Sequence, residues 1–209
     1  MIRRDFIKVN GTILGTGALV SAGGWMMAGH HDALSGYDPL IGRLAGVNDE
    51  KIPGLLAVQE LNPDHRWYGG VKNVHGIHNP HSTEGFIRTI GCSVSYPESP
   101  FYRDGTLLEP MSRAIKYMLR VQHEDGTIDL YSTNFHSTPD TAFIVKRMAP
   151  IYLILRRMGW EEIQPFLTLV DTFLMRAGQA LISGGIHTPN HRWVVSAALA
   201  WLNHIEPDP

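Results

Sequence analysis

Thr138-Pro139-Asp140-Thr141-Ala142-Phe143-Ile144-Val145 and Thr188-Pro189-Asn190-His191-Arg192-Trp193-Val194-Val195 line up with one another at a displacement of 50 residues. Both read as helix starts. In each, threonine offers a capping oxygen, proline fits the first helical position, and Asp140 or Asn190 lies beside the positive end of the helix dipole. His81-Ser82-Thr83-Glu84-Gly85-Phe86-Ile87 is a looser third copy. A helix start that recurs at this period marks a helical-hairpin repeat. The chain therefore reads as all-α, built from antiparallel helical hairpins.

Outward from these starts, the apolar pattern supplies the helices. Ile163, Phe166, Leu167, Val170, Phe173, Leu174, Ala177 and Leu181 fall at spacings of three and four, which predicts a helix over 161–182. Leu108, Met111, Ile115, Met118 and Leu119 predict another over 107–121. Ala142 to Leu155 and Trp193 to Leu202 are apolar on nearly every side, so both should be surrounded by protein, with Pro150 kinking or splitting the first. A helix over 83–95 is weaker, because Gly85, Gly91 and β-branched residues lower its propensity. Residues 31–80, rich in Gly, Pro, Asn and Asp, form an irregular lead-in with one or two short helices, and 81–209 carries the hairpins.

The 209 residues include 18 Lys and Arg against 20 Asp and Glu, so no excess of positive charge exists to drive phosphate contacts. Nucleic acid is not an expected partner. The single cysteine, Cys92, cannot pair within the chain and reads as a small buried apolar residue. Residues 1–30 read as an export signal: Arg3, Arg4, Phe6 and Lys8 resemble the twin-arginine pattern, and Gly11, Gly15, Gly17, Gly23 and Gly24 interrupt the apolar run that follows. The expectation is an exported protein, periplasmic or extracellular, that meets a membrane only during export.

Alternation of antiparallel helices puts the connections 70–83, 122–139 and 183–190 at one end of the molecule. Seven of the 11 histidines collect there: His75, His78, His81, His123, His136, His187 and His191. Such a rim, rich in titratable groups on a helical scaffold, suits a binding cleft. The loop Asp125-Gly126-Thr127-Ile128-Asp129-Leu130-Tyr131-Ser132-Thr133-Asn134-Phe135-His136 is long for a helix connection and carries donors, acceptors and aromatic rings. After Gly184-Gly185-Ile186-His187, the next helix start presents Asn190, His191 and Arg192 at its positive end, which favours an anion. His75, His78 and His81 lack the regular helix and the cysteine partners that a zinc site would use, so no metal is expected. Trp201 reads as a core aromatic. Trp193 reads either as core or as a sugar platform.

Asp125-Gly126-Thr127, Asn134 and His136 before Thr138-Pro139-Asp140, and Thr188-Pro189-Asn190-His191-Arg192-Trp193 resemble the exported α/α-toroid polysaccharide lyases and their heparinase-like relatives. The resemblance covers residues 80–209 and implies β-elimination at a uronic acid, without a cofactor, on an acidic poly- or oligosaccharide. It implies Asn190 and Arg192 as carboxylate-neutralising groups, His191 or His136 as the base, and Asn134 as a further support for the anion. Asp140, His187, Trp193, Tyr131 and His81 are the expected substrate-binding residues. Tyr131 is a candidate catalytic acid; to act as a base it would need a neighbouring cation, for which Arg192 is the candidate.

A toroid of this kind uses about six hairpins, whereas about 50 residues per repeat give two to three here. The expectation is therefore the N-terminal portion of an incomplete toroid, with an apolar face left exposed. Two other functions fit the sequence. A toroid glycoside hydrolase acting on unsaturated uronyl sugars would draw its acid from Asp125, Asp129 or Asp140. A non-enzymatic helical-repeat module that binds glycan or protein would not need its polar side chains to converge.

Overall fold

The computed structural model describes residues 38–185 and 188–207. The expected export signal and His187 lie outside the described residues. Two short helices come first, α1 (Asp38–Asp49) and α2 (Ile52–Ala57), followed by α3 (Pro80–Ser95) and α4 (Leu108–Val121). A two-stranded ribbon, β1 (Ile128–Leu130) and β2 (Asn134–Ser137), then leads into α5 (Thr138–Arg157), α6 (Gln164–Ser183) and α7 (Pro189–Ile205). The protein is mostly helical.

Helix α5 is the hub, packed against α3, α6 and α7, while Lys146, Ile154 and Arg157 leave one stripe of it exposed. Ala142, Ile144, Val145, Met148, Ala149, Ile151 and Leu155 are all buried. Against α3 the contacts advance in the same sense, from His81–Asp140 through Glu84–Arg147 to Gly91 beside Ile151. Against α6 they advance in opposite senses, since Gly184 lies against Thr138 while Tyr152 donates a 3.1 Å hydrogen bond to Asp171. The lead-in joins the same core through Ile52 and Val71.

Several expectations change. Pro150 does not split α5, which runs unbroken for 20 residues. Burial of the side chains on either side outweighs the roughly 3 kcal/mol that an interior proline costs an isolated helix. Helix α3 is not weak: a Cβ on Gly91 would come within 2.7 Å of Ile151 Cγ1, so the glycine that lowers helix propensity is what lets α3 approach α5. Helix α7 is half-exposed rather than surrounded. Val194, Val195, Ala198 and Leu202 face the core, whereas Trp193 is 78% exposed, which removes the core reading of that ring. Trp201 packs against the core as expected. Cys92 is exposed, on the outer face of α3.

The helix starts also differ from expectation in register. Ser137, not Thr138, caps α5, its Oγ accepting from the Asp140 N–H. Asn79 caps α3 through a 2.9 Å bond from the Ser82 N–H, so the true third start is Asn79-Pro80. At α7, Thr188 occupies the cap position but its side chain accepts no backbone N–H. Its Oγ1 donates instead to Asn190 Oδ1 at 2.5 Å.

Candidate functional site

The starts of α3, α5 and α7 gather round one carboxylate. His81 Nε2 donates to Asp140 Oδ1 at 3.2 Å, and Ser137 Oγ donates to Asp140 Oδ2 at 2.5 Å. Arg147 donates to His81 Nδ1 at 2.8 Å. Because a guanidinium can only donate, His81 Nδ1 must accept, and the ring proton sits on Nε2, facing Asp140. Burial pushes the Asp140 carboxyl up, but the bonds from His81 and Ser137, helped by the electrostatic pull of the neighbouring His81 and His191 rings, outweigh it and leave the carboxyl below its ordinary value. His191 is half-buried, and no hydrogen bond satisfies its buried Nδ1.

Beneath this knot lies Glu84, whose side chain is 1% exposed. It pairs with Arg147 and Arg88, each at 2.9 Å. Burial raises its carboxyl above the ordinary value, against the pull of both arginines. Glu84 and Arg88 lie one turn apart on α3 and Arg147 lies on α5, so the grouping is visible only once those helices are known to be neighbours.

The loop after α4 carries a second cluster. It folds as the short ribbon, with Ile128 opposite Ser137 and Leu130 opposite Asn134. Across its base, the rings of His123 and His136 stack with centroids 3.7 Å apart and an angle of 20°. Each has its own carboxylate: His123 Nε2 is 2.7 Å from Asp129 Oδ1, and His136 Nδ1 is 2.8 Å from Asp125 Oδ2. The His136 N–H also donates to Asp129 at 2.8 Å, which holds the residue at φ +50°, a left-handed conformation uncommon outside glycine. Burial works to raise Asp125, but bonds from Thr127 and His136 dominate and lower it to about 2. Asp125 is therefore ionised at neutral pH and orients the His136 ring through Nδ1, leaving Nε2 for a ligand.

Tyr131 sits at the ribbon's turn, half-buried, its hydroxyl 3.4 Å from that of Tyr117. Burial raises Tyr131 above its ordinary value, Tyr117 and Arg66 work to lower it, and Asp129 adds to the rise. A phenol so placed keeps its proton. The cation whose charge reaches Tyr131 is Arg66.

Of the residues expected from the sequence, His81, Asp140 and His191 come together, and His136 and Tyr131 share the adjoining loop. Asn134, Asn190, Arg192 and Trp193 are exposed. His65 lies 5.6 Å from His78, centroid to centroid. Among the described residues no group of three or more His, Cys, Asp or Glu side chains could hold a metal ion, and no helix is long and apolar enough to cross a membrane. No protein-family model matches the chain, and comparison with curated proteins and with solved structures finds no match.

Proposed function

We propose that this chain is part of an exported polysaccharide lyase, built on a portion of an (α/α) toroid, that cleaves a uronic-acid-containing glycan by β-elimination. The observation that supports it best is the Asp125–His136 pair, an imidazole oriented through one nitrogen and open at the other. In this reading Asn190, Arg192 and Asn134 take the substrate carboxylate, which makes the C5 proton more acidic. His136 Nε2 removes that proton. The C–H electron pair becomes the C4=C5 double bond, the C4–O bond breaks, and Tyr131 returns a proton to the leaving oxygen. His81, Asp140 and His191 form the wall of the site, with Trp193 as a sugar-facing ring.

Two of the three carboxyls considered as a hydrolase acid are poorly suited to that role. Asp125 and Asp140 are both held ionised at neutral pH, so neither has the proton that a glycosidase acid must donate. Incubating the full-length protein with polygalacturonate, alginate or hyaluronan tests the reading. A rise in ultraviolet absorbance from the new double bond is expected, falling by about 10²–10⁴-fold in His136→Ala. No rise with any acidic glycan, or consumption of a double bond already present in an unsaturated oligosaccharide, contradicts it.

A further inference from the structure

The segment Asp64-His65-Arg66-Trp67-Tyr68 belongs to the irregular lead-in, and the sequence gives no hint that it reaches the rim. The structure fastens it there. Gln59 Nε2, buried, donates to the Gly69 carbonyl at 3.1 Å and to the Pro110 carbonyl at 3.0 Å, and Arg120 donates to the Tyr68 carbonyl. Both tethers end on α4 or its first turn. They set the half-buried Trp67 ring 5.9 Å from Tyr131 and 6.3 Å from Tyr117. Over the same indole lies the exposed Arg66 guanidinium, its central carbon 4.0 Å from the ring centroid.

We infer that Arg66, laid on Trp67 beside Tyr131, forms a second carboxylate subsite that takes the acid group of a uronic acid next to the one that reacts. The inference rests on the elimination reading and deepens it, by making the substrate a chain with acid groups on adjacent sugars. A guanidinium forks onto a carboxylate through two parallel N–H donors, and the indole beneath it fixes the plane of that fork while offering apolar area to a sugar ring. Arg66 has no carboxylate of its own among the ion pairs of the described residues, unlike Arg88, Arg113 and Arg147. Its charge also reaches the hydroxyls of Tyr117 and Tyr131.

The test compares Arg66→Ala, Arg66→Lys and Trp67→Phe with the wild type, by steady-state kinetics on a polyuronide and by calorimetric binding of a uronate trisaccharide and a neutral trisaccharide. Arg66→Ala should raise KM and weaken uronate binding by about tenfold or more, with kcat within about twofold, and the neutral sugar should show no dependence on Arg66. Arg66→Lys should recover only part, because a point charge cannot fork. Arg66 is exposed, so an unchanged melting temperature serves as the folding control. Normal KM and normal uronate binding in Arg66→Ala overturn the subsite and leave the elimination reading standing. Arg66-dependent binding by a wild type that turns over no uronide supports the subsite as a binding site and overturns elimination.

Discussion

The starts of α5 and α7 share the Thr-Pro sequence and almost nothing else. At α5, Thr138 and Pro139 are buried, Ser137 caps the helix, and Asp140 is clasped from α3 by His81. At α7, Thr188, Pro189, Asn190 and Arg192 are exposed, and the threonine hydroxyl is spent on Asn190 rather than on the backbone. A repeat in sequence thus yields one start that holds the scaffold together and another that presents polar groups to solvent. The difference comes from what surrounds each start: the α5 start is held by His81 of α3 and by Gly184 at the end of α6, whereas the first turn of α7 is largely exposed.

If that division holds, substitutions at the two starts should separate activity from stability. The largest effect belongs to the open start. Asn190→Ala and Arg192→Ala should each lower turnover of a polyuronide by about 10²-fold or more while moving stability by no more than about 0.5 kcal/mol. Kinetics and thermal melting on the same samples check this, and a melting loss matching the activity loss would break the comparison.

Next comes the contact that packs the end of α6 against the α5 start. A Cβ on Gly184 would overlap the Thr138 side chain, so Gly184→Ala should destabilise by about 1–3 kcal/mol in urea unfolding. Smaller again is the contrast between caps. Ser137→Ala should cost about 0.5–2 kcal/mol, whereas Thr188→Ala, which removes no capping bond, should cost a few tenths at most. Equal costs at the two positions would show that the starts are energetically alike.

The smallest effect is a pH dependence. The Asp140 carboxyl titrates below its ordinary 3.8 in the folded protein, so its stabilisation is complete above that value and drains away as the pH falls through the lower folded one. Asp140→Asn should therefore flatten the acid side of the stability curve, below about pH 4, and leave the neutral slope unchanged. An unaltered acid limb would mean that His81 and His191 do not favour the ionised form.

Helices were legible wherever one apolar face repeated at helical spacing, as with Ile163 to Leu181 and Met111 to Met118, since burial enforces that spacing directly. Long-range fit was not. Gly91 counts against a helix until Ile151 is known to lie over it, and Pro150 counts as a break until the burial around it is known. The ribbon of Ile128–Leu130 and Asn134–Ser137 is too short for an alternation signal to stand out. The candidate site divides in the same way. That polar and titratable side chains gather near helix starts could be read from Asp140, His136 and His191. That His136 draws on Asp125, and that Arg66 and Trp67 lie beside Tyr131, depends on folds of the loop and tethers of the lead-in that no local pattern encodes.

The most direct test of the account is the mass of the oligosaccharide released from a polyuronide by the full-length protein, with His136→Ala as the control. The account predicts a product unsaturated at its non-reducing end, lacking the water that hydrolysis would add, and its loss in the variant. A saturated product, or an unsaturated one formed equally well without the His136 imidazole, would contradict it.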